Sequence, residues 1–203
     1  AKEINRSGIQ NIGTERRGQQ LIKDGCHYTR HATTIIPMAY PMGDFDNKQG
    51  VCTDLVIRSL RGIGIDLQVL LYEDILVNPT RYRISKANTN IDHRRTRNLK
   101  RYFDAHALSL SLKTPKEKPL SWRAGDIVIM DTGVQNGTIY DHIGIVSRNK
   151  DHKGTPLVIN LWAIGSQLNE MELLNGDYPK IVGHYRLFHP FYYQASPVSI
   201  QVN

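Results

Sequence analysis

The sequence is poor in cysteine: only Cys26 and Cys52 occur among its 203 residues. Two thiols are too few for a disulfide scaffold, and the sequence cannot show whether these two form a disulfide. No apolar run approaches the ~20 residues that cross a bilayer, and the first ten residues lack the apolar core of a signal peptide. We therefore expect either a cytoplasmic protein or an exported one whose signal peptide has already been removed.

The composition is typical of a folded domain, with 40% hydrophobic and 22% charged residues and no low-complexity segment. The length suits one domain with its own core, and no linker divides the sequence, so we predict a single domain over residues 1–203. Lys and Arg together number 26, against 19 Asp and Glu. The net charge of +7 favours an anionic partner, such as nucleic acid, a membrane surface or a bacterial wall polymer.

Hydrophobic periodicity divides the chain into a helical first half and a strand-rich second half. Apolar residues at helical spacing predict helices in four segments. After residue 121, short segments rich in β-branched and aromatic residues predict antiparallel strands. Helices followed by strands indicate an α+β fold. The predicted helices cover residues 4–23, 52–63, 65–76 and 94–107, and the predicted strands are "GDIVIMD", "HIGIVSR", "PLVINLWAIG" and "GHYRLFH".

Cys52 is the candidate nucleophile. It opens the helix predicted over residues 52–63, where unpaired N–H groups and the helix dipole favour a thiolate. The preceding "QG" turn would let the backbone approach a substrate closely. The alternative is a structural role, because Cys52 lies on the apolar side of its helix and free cysteine is among the most buried residue types.

His142 and Asn160 are the candidate partners of Cys52. His142 begins a predicted strand and can project its ring towards a helix end, and residues distant in sequence can meet in the fold. Asn160 ends the first part of the next predicted strand and could hold the imidazole. Both have ordinary alternatives: a surface histidine at a strand start, and an asparagine that belongs to a turn.

The chain contains six segments that occur in this order in one bacterial family: "YPMGDFDNKQGVCTDLVIRSLRGIGIDLQ", "NIDHRRTRNL", "AGDIVIMD", "HIGIVS", "PLVIN" and "GHYR". The chain resembles domain-of-unknown-function family 1287 from about the first helix to Arg186. That family is similar to the NlpC-type papain-like cysteine peptidases and amidases. The resemblance implies a papain-like fold with N-terminal helices, in which the cysteine helix packs on an antiparallel β-sheet that carries the histidine.

The resemblance also implies roles for individual residues. Cys52 would be the nucleophile, His142 the base and Asn160 the third member of the triad, at a position where many relatives are expected to have histidine. Tyr40 matches a tyrosine that lines the site in NlpC-type enzymes, although packing beside the neighbouring prolines is an equal alternative.

Four charged residues complete the predicted substrate-binding set. Arg94 and Arg95 belong to the "NIDHRRTRNL" segment, and they could either grip a stem-peptide carboxylate or brace the cleft. Asp54 and Asp141 lie beside the nucleophile and the base. The remaining basic residues of this segment are more typical of a solvated helix face.

No metal or cofactor is expected. Cys26, His27 and His31 in "CHYTRH" are possible metal ligands. A zinc site needs about four ligands, and no second cluster accompanies these three.

The expected function is hydrolysis of amide bonds by a Cys-His-Asn triad, most simply in peptidoglycan stem peptides, as an endopeptidase or an amidase. We expect a monomer that acts in the periplasm or outside the cell and has no nucleic-acid partner. Two alternatives stay open: a non-catalytic module that binds cell wall or nucleic acid, and a papain-like hydrolase or acyltransferase for lipid or protein. Apolar residues near Trp162 could line a pocket for the latter.

Overall fold

The computed structural model describes residues 2–24, 37–44, 48–162 and 167–187, with the side chains of the first helix described from residue 13 onwards. Cys26, His27 and His31 lie outside the described residues. Within the described ranges, no helix combines the length and apolar character that a bilayer crossing requires. The same ranges contain no group of three or more His, Cys, Asp or Glu side chains arranged to hold a metal ion.

Helices dominate the first half of the described chain. Two short 3₁₀ turns, at Asp92–Arg94 and Pro119–Ser121, accompany the α-helices. The α-helices are α1 (Lys2–Lys23), α2 (Cys52–Arg61), α3 (Leu67–Val77), α4 (Pro79–Tyr82) and α5 (Thr96–His106).

The second half forms one six-stranded sheet, in which every neighbouring pair of strands is antiparallel. The spatial order of the strands is β1-β6-β2-β3-β4-β5. The strands are β1 (Leu108–Ser109), β2 (Ile127–Asp131), β3 (His142–Lys150), β4 (Pro156–Asn160), β5 (Asn169–Met171) and β6 (Lys180–Arg186).

Side chains alternate between the two faces of the sheet. On one face, Ile143 and Ile145 of β3 pack with the helices in the larger core cluster. On the other face, Val146 of β3 and Val158 of β4 pack in a smaller cluster with Trp122. Both faces are therefore covered, which explains why β3 is buried along its first six residues.

α2 is a helix of the larger core and packs on β3. Leu55, Val56 and Leu60, at positions i, i+1 and i+5, have no exposed surface. This spacing places them on the inward side of one helix. Burial of each such side chain contributes about 1.5–3 kcal/mol to the free energy of folding. The position of α2 on the sheet is therefore well determined.

α1 is fixed to the same sheet by a close approach and an ion pair. A Cβ atom added at Gly18 would lie 3.2 Å from Cδ1 of Ile159, so the helix backbone comes close to β4. Glu15 is fully buried, and Arg148 of β3 donates Nε–H to its Oε2 at 2.9 Å. Because a buried carboxylate needs a partner, this pair favours one position of α1 on the sheet.

The predicted α+β class and the order of helices before strands are confirmed. The four predicted helices correspond to α1, α2, α3 and α5. The structure differs at the start of the last one, because Arg94 ends a 3₁₀ turn and Arg95 is extended, with φ −97° and ψ 112°. Periodicity did not reveal α4, β1 or β5, because elements of two to four residues are too short to show it.

Gly144 allows β3 and β4 to approach each other next to the strand residues of the candidate site. A Cβ atom there would lie 2.5 Å from Cγ1 of Val158 and 2.8 Å from the carbonyl oxygen of Ile159. We expect Gly144→Ala to lower the free energy of unfolding by about 3 kcal/mol, because overpacking costs about 1–3 kcal/mol and a strand carbonyl cannot rotate away. Urea unfolding measures this loss.

Gly154→Ala is the control for this prediction. A Cβ atom at Gly154 meets nothing within 4 Å, so its cost is limited to the left-handed φ of 81°, about 1 kcal/mol. Equal losses of stability in the two variants would contradict the role of Gly144 as a point of close strand approach.

Candidate active site

Cys52 is the first residue of α2. Asp54 closes the first turn: its backbone N–H donates to the carbonyl oxygen of Val51 at 2.9 Å, and its Oδ2 accepts the N–H of Val51 at 2.7 Å. A carboxylate in this position also interacts favourably with the helix dipole. The sequence thus places the cysteine at a well-formed helix start.

Arg94 holds this helix start from the side. Its Nε–H and Nη2–H donate to the two carboxylate oxygens of Asp54 at 3.0 and 2.9 Å. Its carbonyl oxygen accepts the hydroxyl of Thr53 at 3.2 Å. The 3₁₀ turn that carries Arg94 is therefore joined to α2 by both its side chain and its backbone.

The two adjacent arginines that were predicted to bind substrate have different environments. The side chains of Arg94 and Asp54 are 2% and 4% exposed and are paired with each other, so neither is presented to a ligand. Of the two roles considered for Arg94, the structure describes the bracing one. Arg95 keeps 41% of its side chain exposed and lies 3.6 Å from Asp92.

His142 and Asn160 are brought together at one end of β3 and β4. The distance from His142 Nε2 to Asn160 Oδ1 is 3.2 Å, and both residues are buried. The amide Nδ2–H of Asn160 donates to the carbonyl oxygen of Val158 at 3.2 Å, which assigns Oδ1 as the atom facing the ring. Nε2 therefore carries the hydrogen of the neutral imidazole, and Nδ1 carries the lone pair.

Trp162 contacts the imidazole, and Asp141 holds the loop that leads into β3. The ring of Trp162 meets that of His142 edge-on, with centroids 4.9 Å apart and an angle of 72° between the planes. Asp141 accepts the backbone N–H and the hydroxyl of Thr132, both at 2.9 Å. The predicted substrate residue Asp141 is thus engaged in holding the loop before β3.

The thiol of Cys52 lies at the start of β3. Its hydrogen-bonding neighbours are the backbone N–H groups of Ile143 and Thr53 and the hydroxyl of Thr96. Ile143 directly follows His142, so the sulfur reaches the strand next to the histidine.

In the described structure no hydrogen bond joins the sulfur of Cys52 to the imidazole ring. By strand alternation, His142 shares the face of Val146, whereas α2 packs on the face of Ile143. The thiol and the ring therefore approach the start of β3 from opposite faces of the sheet. Catalytic hydrogen bonds are often long in enzymes without substrate and tighten in the complex.

Burial raises the pKa of the Cys52 thiol to about 11. The N–H of Ile143 lowers this pKa and the carboxylate of Asp54 raises it further, so the hydrogen bonds do not offset the loss of water. The structure therefore favours the thiol over the thiolate expected at the helix start, because desolvation outweighs the helix dipole. At neutral pH the thiol is protonated.

The imidazole is neutral as well. Burial lowers the pKa of His142 below its ordinary value, and the hydrogen bond to Asn160 and the charge of Asp141 oppose this shift only in part. The resting site consequently holds a neutral thiol and a neutral ring.

Tyr40 lies away from this cluster in its aromatic contacts. Its ring packs against Tyr72 of α3, with centroids 4.9 Å apart, and the residue is 39% exposed. The described aromatic contact of Tyr40 is therefore with α3, and its role in binding substrate stays a prediction.

Thr96 is the neighbour of the thiol that sequence reasoning missed. It lies directly after Arg95 in the "NIDHRRTRNL" segment, and its hydroxyl reaches the sulfur from the first position of α5. The only available signal was the presence of this segment among those shared with the family, since a lone threonine has no catalytic pattern of its own.

The fold and this cluster define an α+β protein with a cysteine at a helix start and a His–Asn pair at the ends of two neighbouring strands. The family described as "Domain of unknown function (DUF1287)" matches residues 17–187, and the chain belongs to it. The chain is similar to "Uncharacterized protein YijF" of Escherichia coli (strain K12), with 38% identity over 159 residues, which cover 75% of this chain and 71% of that protein. No solved structure matches the chain.

We expect Arg94→Ala to lower the free energy of unfolding by about 3–5 kcal/mol, because it leaves the buried carboxylate of Asp54 without its partner. Arg95→Ala removes a neighbouring, partly exposed arginine and is expected to cost less than about 1 kcal/mol. Chemical denaturation of the two variants measures the difference, and similar losses would contradict the assignment of Arg94 as the structural partner of Asp54.

The raised pKa of Cys52 predicts slow alkylation. In a Cys26→Ser background at pH 7, we expect iodoacetamide to react with Cys52 roughly a hundredfold more slowly than with an ordinary thiol, because the thiolate fraction falls tenfold for each unit of pKa. The rate should keep rising with pH towards about 11. A rate that reaches its plateau below pH 8 would show an ionised thiol instead.

Proposed function

We propose that this protein is a papain-like, NlpC-type cysteine hydrolase that cleaves amide bonds in peptidoglycan stem peptides. The observation that carries the proposal is the buried pair of His142 and Asn160, whose Nε2–Oδ1 distance is 3.2 Å, beside the strand residue that meets the thiol of Cys52. An oriented base next to a nucleophile at a helix start is the arrangement that covalent amide hydrolysis requires.

In this proposal, Nδ1 of His142 takes the proton of the Cys52 thiol as the sulfur attacks the amide carbonyl carbon. Because both groups are neutral at rest, the proton moves during the attack and not before it. The carbon–sulfur bond forms, and the carbonyl π electrons move to the oxygen. The backbone N–H of Cys52 at the start of α2 donates to that oxyanion, a type of interaction worth roughly 3 kcal/mol in other enzymes.

The tetrahedral intermediate then loses the amine. The carbon–nitrogen bond breaks, and the imidazolium of His142 gives its proton to the leaving nitrogen. A water molecule, deprotonated by His142, attacks the thioester and releases a carboxylic acid and the free thiol. Asn160 keeps Nε2 engaged throughout, so the ring presents Nδ1 to the reacting atoms.

The charge of the chain supports an anionic substrate. A net charge of +7 attracts a negatively charged polymer such as peptidoglycan. This substrate places the proposed enzyme in the periplasm or outside the cell, where it would act as a monomer.

One observation favours a second function, a non-catalytic module that binds cell-wall peptides. The thiol has a pKa of about 11 and is not hydrogen-bonded to the described imidazole, as is expected of a structural cysteine. The same experiment separates the two functions.

Purified sacculi incubated with the wild-type protein should release stem-peptide fragments that mass spectrometry can identify. Cys52→Ala and His142→Ala should each lower the rate of release by at least about a thousandfold, because triad residues act as a unit. The masses of the fragments identify the bond that is cleaved.

Cys26→Ser is the matched control and should retain the wild-type rate. Circular dichroism and thermal melting should show that Cys52→Ala is folded. Undiminished release by folded Cys52→Ala would reject the proposal, and binding of sacculi without release by the wild-type protein would favour the non-catalytic module.

A further inference from the structure

A basic cavity of about 580 Å³ opens beside the candidate active site. Its volume lies within the range of about 300–1,000 Å³ that is common for ligand pockets. Among its lining residues in the described part of the chain, five are cationic and none is acidic. The cationic residues are Arg83, Lys86, Arg95, Arg97 and Arg101.

Most of these cations lack an anionic partner within the protein. In the part of the chain that the structure describes, Arg95 lies 3.6 Å from a carboxylate oxygen of Asp92, and the other four cations pair with no carboxylate. Arg101 donates Nη1–H to the carbonyl oxygen of Tyr82 at 2.5 Å, which keeps its guanidinium at the cavity. A concave surface that carries only positive charges concentrates the electric field and attracts an anion.

The arginines are also close enough to repel one another. Burial lowers the pKa of Arg101, and the charges of Arg83 and Arg97 lower it further. Arg83 itself has a left-handed φ of 53°, a conformation that costs less for glycine or asparagine. Cationic side chains that repel one another are stabilised when an anion binds between them.

Two segments that line the cavity also carry residues of the candidate active site. Arg95 directly precedes Thr96, whose hydroxyl reaches the sulfur of Cys52. Tyr140 also lines the cavity and lies two residues before His142. The segments that carry Thr96 and His142 therefore also supply walls of the basic cavity.

We propose that this cavity is the specificity pocket for an acidic peptide, and that its arginines bind carboxylates on one side of the scissile amide. The inference rests on the proposed hydrolase function and names the chemical class of its substrate. Guanidinium groups bind carboxylates through two parallel hydrogen bonds, which gives orientation as well as affinity. Arg83 and Arg97 are the two exposed arginines of the cavity, which makes them the guanidinium groups available to a carboxylate.

The aromatic lining argues against a nucleic acid as the occupant. Binding of single strands depends on aromatic faces on which bases stack. Tyr82 is 2% exposed, and the Nζ of Lys100 lies 5.2 Å from the ring centroid of Tyr140. The ring of Tyr82 is thus closed to a base and that of Tyr140 is already occupied by a cation, whereas the proposed reaction requires an amide, which a peptide supplies.

Calorimetric titration of the Cys52→Ala variant tests the pocket, because this substitution removes the proposed reaction. The probes are the tripeptide Ala-Glu-Glu with free carboxylates, its neutral counterpart Ala-Gln-Gln with an amidated C-terminus, and inorganic phosphate. We expect the acidic tripeptide to bind at least tenfold more tightly than the neutral one. Arg83→Ala/Arg97→Ala, made in the same background, should lose that preference.

Arg123→Ala in the Cys52→Ala background is the matched control, because Arg123 is an exposed arginine that does not line the cavity. Arg123→Ala should keep the preference for the acidic tripeptide. Arg97→Lys should keep more of this preference than Arg97→Ala. Equal binding of the two tripeptides would overturn the proposal. The proposal would also be overturned if the double variant and Arg123→Ala lost the preference for the acidic tripeptide equally. Binding of phosphate without binding of the acidic tripeptide would assign the pocket to a phosphate group and overturn it as well.

The two proposals fail in different ways. If the wild-type protein releases nothing from sacculi while Cys52→Ala still prefers the acidic tripeptide, the hydrolase function is rejected and the pocket is retained. If sacculi are cleaved but the preference for carboxylates is absent, the hydrolase function is retained and the pocket is rejected.

Discussion

The ion pair between Asp54 and Arg94 fixes the position of nearly everything that surrounds the thiol. Removing both charges from water is costly, and the two-pronged contact at 2.9 and 3.0 Å offsets much of that cost. The pair joins the first turn of α2 to the 3₁₀ turn at Asp92–Arg94. The next two residues of the chain are Arg95, at the basic cavity, and Thr96, at the sulfur, so one contact positions the nucleophile, its hydroxyl neighbour and the cavity wall.

Pairing of β3 with β4 positions His142, just as the ion pair positions Cys52. β3 and β4 pair with Ile145 opposite Ile159, and this register brings His142 and Asn160 to the same end and the same face. Gly144 lets the two strands approach at that point, since any Cβ there would overlap β4. The orientation of the base is thus a property of the sheet and does not depend on the helix.

The balance of electrostatic terms at Cys52 shows why a helix start is not sufficient to ionise a thiol. The dipole and the N–H groups of Ile143 and Thr53 favour the thiolate, but desolvation and the negative charge of Asp54 act against it. Asp54 therefore has two effects: it completes the helix start and keeps the neighbouring thiol protonated. In the proposed reaction, the proton accordingly moves to His142 during the attack.

Amino-acid order alone determined the succession of helices and strands, the place of Cys52 at a helix start, and the choice of His142 and Asn160 as candidate residues, because periodicity and family segments are local patterns. It could not distinguish the adjacent residues Arg94 and Arg95, of which one is buried in an ion pair and the other lines a cavity. Nor could it reveal the pKa of Cys52, the contact with Thr96, or a pocket whose walls come from residues 82–101 and 137–140. These features depend on distances and on the exclusion of water between segments that are remote along the chain, and only the packed tertiary structure decides those.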